Sequence, residues 1–309
     1  MSAWKDKLDN GEILLIDGAM GTELERRGVP MSAISWSGTS LVENPEEIIA
    51  AHEDYIRAGA EVIITNTFGV GPYLLEELGY ADRVDELIRS AGELAQRARD
   101  NVGIDVAIAG SIADPGIRNR DWVRDAPEPG EQEMLDSAGR MATQLAAGGC
   151  DLIALEMMMD TVVATIGLKA AKATGLPVWM GLSVRWNEAG DTLIDHNGSG
   201  KATLDDMLDA WLPHEPDAIN VMHTAIDATG PALDVVRARY DGPMGAYPES
   251  GYFTMPNWQF VDIIAPDDLI REARGWVGQG ATILGGCCGL GPEHIIVLRD
   301  AIPSMKPAA

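Results

Sequence analysis

Two adjacent cysteines near the carboxyl end of the 309-residue chain are the residues best suited to do chemistry. Cys287 and Cys288 lie in ILGGCCGLGP (283–292), directly after an apolar run and flanked by glycines. Zinc in proteins takes sulfur and nitrogen ligands in a tetrahedron, and a catalytic zinc has three protein ligands and one open position. The pair therefore predicts a metal site that needs one more ligand from elsewhere in the chain.

The third ligand is predicted to be His223, the last residue of the run at 217–223. Cys150 is the only other cysteine, and it precedes an apolar run, which places it at the opposite ends of the strands. His196, in the loop after the run at 177–183, is the remaining alternative. The other histidines lie in predicted helices or just before a strand: His52, His214 and His294.

The cysteine pair has two other interpretations, a tight turn that happens to use small residues and a vicinal disulfide. An odd total of three cysteines does not make a disulfide framework. The polar amino-terminal segment MSAWKDKLDNGE lacks the apolar stretch of a secretory signal. We therefore expect a cytoplasmic protein whose thiols stay reduced and available to a metal.

Short apolar runs of strand length recur along the whole chain. Most follow Asp, Glu, Gly or Pro, and they are continuous rather than alternating, as in strands buried on both faces of a parallel sheet. The runs occupy 12–17, 60–66, 105–111, 151–156, 177–183, 217–223, 242–247 and 281–286.

Stretches with helical spacing of apolar residues follow these runs. They occupy 45–58, 81–101, 131–147, 161–173, 204–211, 231–240, 266–277 and 292–301. Eight strand–helix units predict an α/β fold, a (β/α)₈ TIM barrel that forms a single domain over residues 1–309. An open doubly wound sheet is the alternative, but no G-x-G-x-x-G motif joins a strand to a helix.

Polar side chains end nearly every predicted strand, and barrel enzymes carry their active sites at these carboxyl-terminal ends. Three longer inserts, at 116–130, 185–200 and 248–264, also follow strand ends. A ring of such groups predicts an enzyme rather than a scaffold. The strand-end groups are Asp17, Asn66, Ser111, Glu156, Ser183, Asn220, His223, Tyr247, Cys287 and Cys288.

The formal net charge of −25 is the most unusual feature of the composition. A surface of this sign repels nucleic acid phosphates and anionic lipids, so neither is an expected partner. The apolar runs are too short to span a bilayer. Small-molecule substrates remain as the expected partners, with oligomerisation left open.

An ordered set of motifs resembles the homocysteine S-methyltransferase family. The motifs are DGAMGTELERRG (17–28), TNTF (65–68), AGSI (109–112), DLIALE (151–156), YPESG (247–251) and GGCCG (285–289). The resemblance implies a zinc-containing barrel in which Cys287 and Cys288 bind the metal. It further implies that Asp17 and Glu156 hold the amino group of homocysteine. The segments near Gly18 and Ser111 would line the amino-acid site.

Two departures from the family pattern concern the metal and the methyl donor. The family has a third zinc cysteine after the sixth strand, where this chain reads AINVMH (218–223), so either His223 replaces it or zinc is lost. Met157 follows Glu156, where relatives commonly have Thr or Tyr, and this disfavours a strict betaine enzyme.

The predicted reaction transfers a methyl group from a cationic onium donor, a sulfonium or a betaine, to the thiol of L-homocysteine. Aromatic rings attract such cations, and the donor-side candidates are Trp36, Phe68 and Tyr252, with Tyr73, Trp186 and Trp258 favoured as packing residues. The alternatives are another thiol acceptor, a donor carried by a corrinoid protein, and a zinc-free barrel that binds a small amino acid. A zinc hydrolase is disfavoured by the paired cysteines.

Overall fold

A computed structural model describes residues 3–113, 129–254 and 259–306. Eight parallel strands follow one another around a barrel, and a bridge between Ile16 and Val62 joins the first strand to the second. The TIM barrel prediction is thus confirmed, and the open sheet is excluded. In chain order the strands are β1 (Leu14–Leu15), β2 (Val62–Ile64), β3 (Ala107–Ile112), β4 (Leu152–Met158), β5 (Val178–Leu182), β6 (Ala218–Met222), β7 (Met244–Tyr247) and β8 (Ile283–Leu284).

The strands are largely apolar because both of their faces are covered. One core lies between the strands and the surrounding helices, and a smaller one fills the barrel. Trp4, from the amino-terminal helix Ala3–Asp9, packs edge-on against Trp179 of β5, with ring centroids 5.8 Å apart. The barrel interior is therefore closed at the amino-terminal ends of the strands, and its cavity lies at the other end.

Seven of the eight predicted helices lie within three residues of the predicted bounds, and Pro45–Ala58 is capped by Gly59, whose φ of 110° suits glycine. Four shorter helices were not predicted: Ala3–Asp9, Met20–Arg26, Ser40–Glu43 and Pro72–Glu77. Among the described helices, none is long and apolar enough to cross a membrane. The helices are Ala3–Asp9, Met20–Arg26, Ser40–Glu43, Pro45–Ala58, Pro72–Glu77, Val84–Val102, Glu131–Ala147, Thr161–Lys172, Leu204–Trp211, Ile226–Arg237, Pro266–Gly278 and Pro292–Ala301.

One predicted helix start is wrong. The helix expected from residue 231 begins five residues earlier, at Ile226, so that Pro231 lies inside it. Proline removes one backbone hydrogen bond and favours a helix start. Here the burial of Ala228 and Thr229 on the barrel side offsets that loss, and Thr229 donates its hydroxyl to the carbonyl of Ala225 at 2.9 Å.

Two of the three long inserts form hairpins at the carboxyl-terminal face. Val184–Trp186 pairs with Leu193–Asp195, and Tyr252–Thr254 pairs with Gln259–Val261. The insert predicted at 116–130 lies almost wholly outside the described residues. Both hairpins extend the barrel mouth, and the second brings Tyr252, Phe253 and Phe260 to the lining of its cavity.

Candidate active site

A cavity of about 600 Å³ opens at the carboxyl-terminal ends of the strands. Eight of the ten residues predicted for the site line it, whereas Asp17 and Ser111 are buried beside it. The lining members of that set are Gly18, Trp36, Phe68, Glu156, Tyr252, His223, Cys287 and Cys288.

The two cysteines and His223 face one another in this cavity. The sulfur of Cys287 lies 3.6 Å from Nδ1 of His223 and 4.0 Å from the sulfur of Cys288. One ligand atom from each of the three residues lies within 4.8 Å of the others. Cys150 is buried between strands and helices, and burial raises the pKa of its thiol to about 12. The three side chains predicted as metal ligands are therefore together, without Cys150.

The thiol pair is poorly suited to carry negative charge by itself. The hydrogen bond from Cys287 to Cys288, together with burial, raises the pKa of Cys287 well above its usual range. His223 opposes that shift through its own hydrogen bond to Cys287. A nearby cation would favour the thiolates, because opposite charge stabilises the ionised form of a buried acid.

His223 takes an unusual backbone conformation at the end of β6. Its φ is 42°, in the left-handed region that non-glycine residues rarely occupy. Its N–H donates to the carbonyl of Tyr247 at 3.3 Å, and its own carbonyl accepts the hydroxyl of Ser183 at 2.6 Å. Neighbouring strands thus hold the turn that directs the imidazole at the cysteines, and such strain is characteristic of functional sites.

The cysteine turn is tied to the loop after β7. Cys287 donates its N–H to the carbonyl of Pro248 at 2.9 Å, and the carbonyl of Cys288 accepts the N–H of Ser250 at 2.9 Å. Gly289 has a φ of 84°, and a Cβ on it would lie 2.2 Å from the carbonyl oxygen of Ser250. The turn therefore requires glycine at this position.

The second nitrogen of His223 faces a carboxylate that the sequence interpretation missed. Nε2 lies 3.3 Å from Oε2 of Glu249, which follows β7 within the YPESG motif. The ring of His196 lies 4.8 Å from that of His223 between centroids, and His196, His223 and Glu249 form a second group with metal-ligand geometry. The sequence signal that could have identified Glu249 is its position, two residues after the end of a strand.

Two buried carboxyl groups lie beside the metal-ligand cluster. Oδ2 of Asp17 accepts the N–H of Ile64 at 2.8 Å, whereas Oδ1 has no hydrogen-bond partner among the described residues. Burial, with a contribution from the charge of Glu156, raises the pKa of Asp17 well above its usual range. Asp17 thus presents one unsatisfied oxygen in an environment that favours a positively charged partner.

Glu156 lies in β4, two residues before the end of the strand, and Ser111 of β3 lies beside it. The Ser111 hydroxyl donates to Oε2 of Glu156 at 2.5 Å. Burial raises the pKa of Glu156 to about 7, and the Ser111 hydrogen bond and the charge of His223 oppose the shift. Ser111 therefore contacts the carboxylate rather than the open cavity.

The aromatic candidates separate into two groups. Trp36, Phe68 and Tyr252 line the cavity, as do Phe253 and Phe260 of the second hairpin. A Cβ on Gly21 would lie 2.4 Å from the Trp36 ring, so glycine there allows the indole to pack on the helix Met20–Arg26. Tyr73 and Trp186 do not line the cavity, and Trp258 lies outside the described residues.

The fold and the cavity define a (β/α)₈ barrel with a candidate thiol–imidazole metal centre beside two buried carboxyl groups. The chain belongs to the homocysteine S-methyltransferase family, whose model matches residues 14–302. The resemblance drawn from the motifs is thereby confirmed.

Three curated relatives match along nearly their whole length. The chain is 30% identical to the homocysteine S-methyltransferase of Escherichia coli K12, over 94% of this chain and 96% of that protein. It is 27% identical to homocysteine S-methyltransferase YbgG of Bacillus subtilis, over 97% of both. It is also 26% identical to the selenocysteine methyltransferase of Astragalus bisulcatus, over 92% and 91%.

The crystal structure of the homocysteine methyltransferase MmuM from Escherichia coli, in its metallated form, has a similar fold. The TM-score is 0.80 at 26% identity, and the match covers 96% of this chain and 98% of that one. The similarity extends over the whole barrel.

Proposed function

We propose that this protein is a zinc-dependent methyltransferase that moves a methyl group from a cationic onium donor to the thiol of L-homocysteine, giving methionine. The observation that carries the proposal is the convergence of Cys287, Cys288 and His223 in one cavity with Asp17 and Glu156 beside them. The family assignment supports the same acceptor.

Two of the distances between the ligand atoms, both from the sulfur of Cys287, fit zinc. Tetrahedral bonds of about 2.3 Å to sulfur and about 2.0 Å to nitrogen place sulfur and nitrogen about 3.5 Å apart and two sulfurs about 3.8 Å apart. The corresponding distances here are 3.6 Å and 4.0 Å. Two sulfurs and one imidazole also leave the fourth position for a substrate.

Zinc in this position would supply a Lewis acid that lowers the pKa of a substrate thiol, so that it is a thiolate at neutral pH. The protein contributes the orientation of the amino acid. The unsatisfied oxygen of Asp17 and the carboxylate of Glu156 suit the ammonium group of homocysteine. Holding that end of the substrate reduces the entropic cost of placing its sulfur for attack.

The donor side of the cavity suits a methylated cation. Trp36, Phe68 and Tyr252 present aromatic rings, whose faces attract cations. In the reaction the homocysteine sulfur loses its proton and forms a bond to the methyl carbon. The carbon–sulfur or carbon–nitrogen bond of the donor breaks, its electron pair stays with the donor, and the donor leaves with one positive charge fewer.

A sulfonium is the preferred donor in this proposal. Zinc with two thiolates and a neutral imidazole is a neutral centre, whereas three thiolates would make it singly negative. A less electron-rich centre would hold a substrate thiolate more tightly and would make it a weaker nucleophile. A sulfonium gives up its methyl group more readily than a quaternary ammonium and suits such a nucleophile.

The test combines an assay of methionine formation with a metal analysis. The purified protein is offered homocysteine with betaine, S-methylmethionine, dimethylsulfoniopropionate or S-adenosylmethionine, and selenocysteine serves as a second acceptor. We expect about one zinc per chain and turnover with a sulfonium. Cys287→Ser should lose both zinc and turnover, whereas Cys150→Ser, the matched control, should keep both.

Three outcomes would overturn parts of the proposal. Absence of zinc after zinc supplementation would indicate a binding barrel without turnover. Zinc with no methionine from any of these donors would indicate a different acceptor or a donor carried by a corrinoid protein. Equal loss in Cys287→Ser and Cys150→Ser would show that the cysteine pair has no special role.

A further inference from the structure

The imidazole of His223 contacts a different acidic group through each of its nitrogens. Nδ1 faces the sulfur of Cys287 at 3.6 Å, and Nε2 faces Oε2 of Glu249 at 3.3 Å. A neutral imidazole carries one proton, and the hydrogen bond made by one nitrogen decides which nitrogen is free to bind a metal. A carboxylate at Nε2 therefore leaves the Nδ1 lone pair directed at the cysteines.

Glu249 is held in place by the same framework that holds the cysteines. Its N–H donates to the carbonyl of Thr224 at 3.2 Å, next to His223. The residues on either side of it, Pro248 and Ser250, are the two that bond to the backbone of Cys287 and Cys288. The carboxylate is therefore fixed relative to both the imidazole and the thiols.

Both side chains of the pair are largely shielded from solvent. The side chain of His223 is 18% exposed and that of Glu249 is 21% exposed. Charge–charge and hydrogen-bonding effects are stronger in such a setting than on an open surface. The contact between them is therefore suited to modify the properties of the imidazole.

We propose that Glu249 is a positioning residue of the metal centre, which accepts the Nε2–H of His223 and places one negative charge next to the ligand set but outside it. This inference rests on the zinc site proposed above. Zinc with two thiolates and an imidazole is neutral. With the carboxylate of Glu249, which accepts a hydrogen bond from the imidazole, the total charge of zinc, its three ligands and Glu249 is −1. That charge lies outside the ligand set, so the ligands themselves remain two thiolates and a neutral imidazole.

The consequence is a tighter centre without a third cysteine. Carboxylates that accept a hydrogen bond from a ligating histidine fix its tautomer and raise its basicity, and their loss typically weakens metal binding about 10- to 100-fold. His196, whose ring lies 4.8 Å from that of His223 between centroids, has no carboxylate oxygen that could accept the Nε2–H of His223. The structure therefore singles out Glu249 among the neighbours of the imidazole.

The experiment measures zinc affinity by competition with a chelator and the absorption spectrum of the cobalt-substituted protein. Glu249→Gln is expected to weaken zinc binding about 10- to 100-fold and to shift the cobalt bands, while the sulfur-to-cobalt charge-transfer band remains. Glu249→Asp should restore part of the affinity. Glu188→Gln, in an exposed turn, is the matched control and should leave both readouts unchanged.

The same Glu249→Gln change, made in the His223→Cys variant, distinguishes an effect through the imidazole from a general structural role of Glu249. In His223→Cys protein, Glu249→Gln should have no effect on zinc affinity, because the imidazole through which Glu249 acts is absent. An equal loss in both backgrounds, or no loss in either, would overturn the inference. A cobalt spectrum with no sulfur contribution in the unmodified protein would instead indicate ligation by His196, His223 and Glu249, and it would overturn the Cys₂His centre itself.

Discussion

Ser111 donates its hydroxyl to Glu156 at 2.5 Å, and this hydrogen bond opposes the effect of burial on the carboxyl group. The pKa of Glu156 is about 7, close to the point at which the group changes charge under ordinary conditions. A residue that the family resemblance places in the amino-acid site therefore acts on the charge of a neighbouring carboxylate.

Replacing Ser111 with alanine should shift the pH dependence of the reaction. Ser111→Ala removes a hydrogen bond that favours the ionised carboxylate, so the pKa of Glu156 should rise above about 7. Because the ionised form is needed to hold an ammonium group, the acid limb of kcat/KM for homocysteine should move to higher pH. An acid limb that stays in place would contradict this role. Ser90→Ala, on a helix surface, is the control.

Replacing Glu156 with glutamine should stabilise the metal-free protein while preventing substrate binding. The pKa of the Glu156 carboxyl is 4.5 in the unfolded chain and about 7 in the folded protein, so the folded protein binds this proton more tightly. The contribution of Glu156 to stability is therefore fully present below pH 4.5 and is lost as the pH rises to about 7. Glu156→Gln should add about 3 kcal/mol at pH 8 and little at pH 4. Denaturant unfolding at both pH values tests this, with Glu12→Gln as the control.

The barrel itself could be predicted from the sequence because its strands are buried on both faces. Continuous apolar runs between Asp, Gly and Pro signal such strands, and helices such as Glu131–Ala147 have clear helical spacing. The helix Ile226–Arg237 was misplaced because Thr-Gly-Pro in its first half is a strong local turn signal. Packing against β6 and β7 outweighs that signal, and packing of this kind is not visible in a single sequence.

The metal-ligand candidates could be predicted because each follows a strand, and the ends of parallel strands share one rim. Glu249, which contacts His223, could not be predicted. That contact depends on a left-handed turn at His223 and on the path of the loop after β7. The hydrogen bond from Ser111 to Glu156 could not be predicted for a similar reason. The sequence shows at which end of the barrel a side chain lies, but it does not show which neighbouring side chain it contacts.

Replacing Trp36 should weaken binding of the cationic donor more than binding of homocysteine. A cation–π contact contributes about 0.5 to 2 kcal/mol, so Trp36→Leu should raise the Kd of an onium donor about 2- to 30-fold. A neutral isostere of the donor should lose much less affinity, which separates the cation effect from a change of shape. Equal losses for donor and isostere would argue against the contact. Trp186→Leu, outside the cavity, is the control.

Salt should stabilise the fold. A net charge of −25 destabilises a compact chain by self-repulsion, and the screening length falls from about 10 Å at 0.1 M salt to about 3 Å at 1 M. Raising KCl over that range should increase Tm by at least about 2 °C, the shift expected from about 1 kcal/mol. Replacing the exposed residues Glu12, Glu77 and Glu188 with glutamine should reduce the salt effect. A salt response that the triple variant leaves unchanged would mean that repulsion is not its cause.

Replacing His223 with cysteine should change the nucleophile and the donor preference together. With Glu249 retained, the zinc-loaded His223→Cys centre gains one negative charge, so the pKa of the bound homocysteine thiol should rise and its thiolate should become more nucleophilic. Turnover with betaine should then increase relative to turnover with a sulfonium. The pH dependence of single-turnover rates gives the thiol pKa, and paired donor assays give the preference. If neither the thiol pKa nor the donor ratio changes, the charge of the centre does not determine the choice of donor.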